Sequence, residues 1–179
     1  DVQPGQNIGV LYQDPGGHWI FSAPVAYTDQ LILNIQYDDD WIDGTYQAGH
    51  EIFLSVLDSL GVEKAHITLT SGYIDGWGGT TGFATYMEGA TWLPNQPDIQ
   101  PGDTIYGEVD GGTFTAEVKI GTVTADLDLN NDQVSGLVDA DWLPQTEEVK
   151  VSCEIWESTA PPNKEDWVLP TGEDPYLCD

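Results

Sequence analysis

Apolar side chains recur in this chain at every second position. Val149, Val151, Cys153 and Ile155 alternate with Glu148, Lys150, Ser152, Glu154 and Trp156, the spacing of a strand with one face on a core and the other on water. Phe114, Ala116, Val118 and Ile120 form a second such face, Val123, Ala125 and Leu127 a third, and Ile67 with Leu69 and Ile105 with Val109 mark two more. Ile52 to Leu57 is apolar on both faces, as a strand in the middle of a sandwich requires. Turn signals recur at short intervals: Pro15-Gly16-Gly17, Asp43-Gly44, Gly78-Gly79, Pro101-Gly102-Asp103, Asp110-Gly111-Gly112 and Asn130-Asn131-Asp132. Short strands with frequent turns predict an all-β chain folded as a β-sandwich. The one competing helix, Val56 to Lys64, is disfavoured by Gly61 and the β-branched residues around it.

Trp92-Leu93-Pro94 recurs as Trp142-Leu143-Pro144, each shortly before a further strand (Thr104 to Val109 and Glu148 to Trp156), which suggests two related units. We place a sandwich over residues 30–119 and a second, smaller β unit over 120–179. The second is short of strands. Asn7 to Tyr12 and His18 to Ser22, within residues 1–29, are strand-like and are candidates to complete it or to pair with a neighbouring molecule. Forty per cent apolar residues, with seven Trp and eight Tyr, supply enough buriable area for a sizeable core.

Charge limits the setting. Thirty-one Asp and Glu stand against four cations, Lys64, Lys119, Lys150 and Lys164, giving a formal net charge of −27 over 179 residues. With a Debye length of about 10 Å at 0.1 M salt, so acidic a surface repels itself unless salt, divalent cations, low pH or a cationic partner offsets it. Four scattered lysines and no arginine exclude nucleic acid as a partner. No stretch approaches the roughly 18 apolar residues of a membrane span, so no membrane insertion is expected, and Asp1 to Gly9 lacks the basic start and apolar run of a signal peptide.

Cys153 and Cys178 are too few for a zinc site and are not spaced as a CxxC pair, so a disulfide is the natural reading. It would pin a Pro-rich, irregular tail (Pro161, Pro162, Pro170, Pro175) to the strand ending at Cys153, be worth roughly 3 kcal/mol, and imply an oxidising, extracellular or cell-surface location. The alternative is a buried thiol at 153 and a frayed one at 178.

Four constellations bear on chemistry. His18, His50 and His66 are far apart, with no metal-ligand spacing, and read as surface or turn residues. Asp126, Asp128, Asn130 and Asp132 have the alternating oxygens of a calcium loop, but lack its sixth-position Gly and twelfth-position Glu, and read better as a hairpin with a polar turn. Asp38 to Asp40 is a looser cation candidate. Glu88 and Glu154 are the acid and nucleophile of a jelly-roll glycosidase if the fold sets them about 5 Å apart; a chain with so many acids always offers such a pair. Tyr73 and Trp77, the latter among Gly76, Gly78 and Gly79, suit a platform stacking on a glycan, while Trp41, Trp92 and Trp142 suit caps on the ends of a sandwich.

The run Asp40-Trp41-Ile42-Asp43-Gly44, then Ala48-Gly49 before the strand Glu51 to Asp58, then Ile99-Gln100-Pro101-Gly102-Asp103 leading to Asp110-Gly111, then Val123-Thr124 to Asp132-Gln133-Val134-Ser135-Gly136, resembles repeat modules of large secreted bacterial multidomain surface proteins. The resemblance covers residues 35–157. It implies immunoglobulin-like or carboxypeptidase-regulatory-like sandwiches, non-catalytic, acting as spacers or display elements. Beyond the resemblance, the expected partners are further copies of the chain, other surface proteins or a glycan, with no cofactor apart from calcium. One departure is Leu143-Pro144-Gln145 where a second Pro-Gly belongs. The expectation is therefore an all-β, immunoglobulin-like sandwich, in one unit or two, serving as an extracellular structural or adhesive module, with filament assembly by strand addition as its extension.

Overall fold

The computed structural model describes residues 10–13, 19–22, 31–74, 81–128, 130–131, 133–153 and 164–178, and all regular structure among them is β. The chain divides into two compact units, Asp1–Val118 and Lys119–Asp179.

In the first unit, β1 (Val10–Gln13) and β2 (Trp19–Ser22) form a two-stranded antiparallel sheet, with Leu11 opposite Phe21 and Tyr12 opposite Ile20. There follow β3 (Ile32–Gln36), β4 (Trp41–Thr45), β5 (Glu51–Leu57), β6 (Glu63–Thr70), β7 (Gly72–Tyr73), β8 (Thr81–Ala84), β9 (Thr104–Val109) and β10 (Phe114–Lys119). They make two four-stranded sheets, ordered β3-β4-β8-β7 and β10-β9-β5-β6. Alternation decides which face is buried: Ile52, Leu54 and Val56 on β5 pair with Val109, Gly107 and Ile105 on β9 and with Leu69, Ile67 and Ala65 on β6. Most of these are fully buried, as are Ile42 on β4 and Phe83 on β8. The sheets pack closely at Gly107, where a Cβ would stand 2.9 Å from Leu31 Cδ2 and 3.4 Å from Leu33 Cδ1. The central place of β5 explains its two-sided apolar character; its outward Ser55 is also buried.

Asp43-Gly44 is not a turn. It lies inside β4, where Asn34 Nδ2 donates to Asp43 Oδ1 at 2.8 Å across the β3–β4 pair. The glycine serves packing: a Cβ on Gly44 would lie 2.2 Å from the Ile32 carbonyl oxygen and 2.6 Å from Phe83 Cζ. The turns at Pro101-Gly102 and Asp110-Gly111 do form. Asp103 N–H donates to the Gln100 carbonyl with Gly102 at φ 95°, as a type II turn requires. Asp110 and Gly111, at φ 47° and 69°, make the tight β9–β10 hairpin.

The second unit contains β11 (Thr122–Val123), β12 (Asp126–Asp128), β13 (Gln133–Asp139), β14 (Val149–Cys153), β15 (Lys164–Val168) and β16 (Thr171–Cys178). β13 pairs with β16 on one side and with β11 and β12 on the other, while β14 and β15 form a separate hairpin. Its core is Val138, Val168, Tyr176 and Cys178, with Val134, Val149, Val151 and Cys153 packed against them.

Two expectations need correction here. The tail after Pro170 is not irregular: it is β16, and Pro175 is tolerated because it lies on the outer strand of the sheet beside a bulge, where Gly172 takes φ 72° and the ladder is already interrupted. Val123, Ala125 and Leu127 do not form a buried face. Val123 stands opposite Val138 and Leu127 opposite Val134, so they belong to the core side of the sheet. Both are nevertheless open to solvent, at 47% and 65% exposure; among the described residues the facing layer is a two-stranded hairpin.

Candidate functional site

A groove of about 330 Å³ lies at the β6/β7 side of the first unit. Its floor is apolar (Leu69, Ile74, Phe83, Ala84), and its rim carries Thr68, Thr70, Tyr73, Met87 and Glu88. Tyr73 stands opposite Thr81, two residues from Phe83 on β8, so it occupies a core-side position on the short edge strand β7. Tyr73 is 63% exposed there. Glu88 is presented by the turn after β8, in which Ala90 N–H donates to the Met87 carbonyl and Gly89 takes φ 90°. The fold thus brings the platform tyrosine and one candidate carboxylate to the same groove. Trp77 and Glu154 lie outside the described residues. One carboxylate beside hydroxyls and a phenol ring offers hydrogen bonds and stacking.

Several other polar side chains are engaged in the fold. His50 Nδ1 meets Asp110 Oδ2 at 2.6 Å, and Glu51 N–H donates to Asp110 Oδ1 at 3.0 Å, tying the β9–β10 hairpin to the start of β5. These bonds, that of His50 first, hold the Asp110 carboxyl below the usual range. His66 Nδ1 contacts Glu63 Oε1 at 2.7 Å and Ser55 Oγ donates to Glu63 Oε2 at 2.9 Å, which lowers Glu63 in the same way. Serine, glutamate and histidine are adjacent, but the hydroxyl is bonded to the carboxylate and not to the imidazole, the wrong order for an activated nucleophile. His18 lies outside the described residues. Among those described, no group of three or more His, Cys, Asp or Glu side chains is placed to hold a metal ion.

At the proposed calcium loop, Asp128 Oδ1 accepts Asn130 N–H at 2.9 Å and Oδ2 accepts Asn131 Nδ2 at 2.8 Å, so both oxygens organise the β12–β13 turn and the carboxyl is held low. Asp126 is exposed on β12, and Asp132 lies outside the described residues. Asp40, at φ 57°, spends Oδ1 on Ile99 N–H at 2.7 Å and its carbonyl on Gln96 Nε2. The tryptophans differ in setting: Trp92 is buried and Trp41 packs on Tyr86 with ring centroids 4.5 Å apart, whereas Trp142 is 38% exposed under Lys119 Nζ, 4.4 Å from its ring.

In the second unit the Cys153 and Cys178 sulfurs are 2.09 Å apart, joining β14 to β16 and so one sheet to the other. Asp166 on β15 accepts Leu177 N–H from β16 at 2.8 Å and closes the same side. The side bounded by β11 and β12 carries the exposed Leu127.

Sequence reasoning missed the groove rim at Thr68, Thr70 and Met87, and the uncovered state of Leu127; the one signal for the latter was the shortage of strands after residue 120. Comparison with protein-family models, curated proteins and solved structures gives no match.

Proposed function

We propose that this chain is a non-catalytic extracellular structural or adhesive module. The observation that carries the reading is the Cys153–Cys178 bond, which links the two layers of the second unit and suits an oxidising exterior. Further support comes from the strand order of the first unit. Lettered A, B, C, C′, D, E, F and G from β3 to β10, its sheets read A-B-E-D and G-F-C-C′, the arrangement of immunoglobulin-like modules common on cell surfaces. Antibody raised against the chain should label intact, unpermeabilised source cells, and non-reduced peptides from the native protein should link Cys153 to Cys178. Labelling only after permeabilisation, or two free thiols, would overturn the reading.

A second reading rests on the groove. Tyr73, with the hydroxyls of Thr68 and Thr70 and the Glu88 carboxylate, presents the mixture of ring and polar atoms that binds a sugar face. On a polysaccharide panel, retention without turnover that is lost in Tyr73→Ala is the expected signature. Turnover abolished in Glu88→Gln would make the chain a hydrolase instead.

A further inference from the structure

The groove at the β6/β7 side of the first unit has a one-sided charge. Its volume of about 330 Å³ is at the small end of ligand sites, enough for a short stretch of a sugar chain. Leu69, Ile74 and Phe83 give it apolar surface against which the C–H face of a sugar ring loses its water. Tyr73 supplies an exposed ring, and Thr68 and Thr70 supply hydroxyls. None of these separates one sugar from another by charge.

Glu88 does. It is the one ionised side chain among the described residues that line the groove, it is exposed, and it stands on a turn fixed by the Ala90 N–H bond to the Met87 carbonyl and by Gly89 at φ 90°. Residues 1–118 contain seventeen Asp and Glu, one Lys and no Arg. That lysine, Lys64, gives its Nζ to Asp103 Oδ2 at 2.7 Å and to the Asp98 carbonyl. A sugar carboxylate or sulfate brought to the groove therefore meets Glu88 as a like charge, with neither Lys nor Arg supplied by this unit to pair with it. An ammonium meets the same carboxylate in a charge-assisted hydrogen bond, roughly twice as strong as a neutral one, beside an aromatic ring that also attracts cations. The field of so acidic a unit adds to this preference by concentrating cations at its surface.

We infer that the groove selects amino sugars: a sugar ring stacks on Tyr73 and sets its free ammonium against Glu88, in preference to the N-acetylated sugar and, last, to a sugar acid. This rests on the glycan reading of the groove and names the class of sugar within it.

The test titrates the full chain at about 0.15 M salt, where the Debye length is about 8 Å, with short oligomers of glucosamine, of N-acetylglucosamine and of glucuronate. The glucosamine oligomer should bind about five- to ten-fold tighter than its acetylated counterpart, and the glucuronate oligomer weakest. Glu88→Gln should bring the ratio between the first two close to one. Glu117→Gln removes the same charge from an exposed position on β10 and should leave the ratio at its wild-type value, which separates a bonded ammonium from the pull of net charge. A wild-type ratio near one, glucuronate bound as tightly as glucosamine, a ratio that survives Glu88→Gln, or one that falls equally in Glu117→Gln each overturns the inference. If the acetylated oligomer binds, depends on Tyr73 and shows that ratio near one, the glycan reading stands and only the selectivity fails; binding of none of the three ends both.

Discussion

Lys64 is the single cation of the first unit, and its position shows how little an acidic chain can leave to chance. Its Nζ donates to Asp103 Oδ2 at 2.7 Å and to the Asp98 carbonyl, while the same carboxylate accepts Gln100 N–H at 2.9 Å. Asp103 is only 4% exposed, so removing the ammonium leaves a buried anion with one backbone donor. Lys64→Met should lower stability by about 2–3 kcal/mol, somewhat below the range for a fully buried pair because the lysine keeps some water. Adding Asp103→Leu should restore most of that loss, since an apolar pair of similar volume leaves no charge unpaired. Denaturant unfolding of the two variants measures both. In the sequence Pro101-Gly102-Asp103 was legible as a turn; that its aspartate is also the counter-ion of Lys64, thirty-nine positions away, was not.

Among the elements, the edge strand of the second unit shows why a clean alternation can fail to be a buried face. Leu137 N–H is taken by Thr124 Oγ1 at 3.0 Å, and the Thr124 carbonyl accepts the Tyr176 hydroxyl at 2.7 Å. Gly136 makes room for this: a Cβ there would lie 1.8 Å from the Thr124 oxygen and 2.7 Å from the Tyr176 hydroxyl. Tyr176→Phe should therefore cost about 1 kcal/mol, measured on the transition of the second unit. The disulfide acts on the same unit. Its partners are 25 residues apart, so reduction should remove about 3 kcal/mol in the chain-entropy model. A reductant should lower the melting transition of the second unit and leave that of the first in place, as calorimetry can resolve.

For the whole molecule, net charge and local hydrogen bonding pull in opposite directions as pH falls. Asp110, Glu63, Asp128 and Asp166 are held below their usual values, chiefly by bonds from His50, His66, Asn131 and Leu177 N–H respectively. A depressed folded-state value gives stability that is present above the ordinary carboxylate range and lost as pH falls through the lowered value. Burial raises Asp43, which runs the other way. Self-repulsion of a −27 surface meanwhile relaxes as carboxylates protonate. At low salt the melting temperature should rise on mild acidification and then fall below about pH 4. At about 1 M salt the rise should vanish and the fall remain, because screening removes the repulsion but not short hydrogen bonds. At neutral pH, salt alone should stabilise; a melting temperature indifferent to salt would contradict this.

What the sequence determined by itself was strand character, because a period of two is imposed by each strand's own backbone. β9 falls on Thr104–Val109 and the two-sided Ile52 to Leu57 run lies in the central β5, as the alternation predicts. Tertiary structure decided which of those faces are covered. Whether a leucine at an apolar position is buried depends on how many strands the opposite layer brings, and nothing local to Leu127 records that. The same holds for Gly44, whose small size answers to the Phe83 ring from a distant strand, and for Tyr73 and Glu88, which the fold brings to one groove from separate segments.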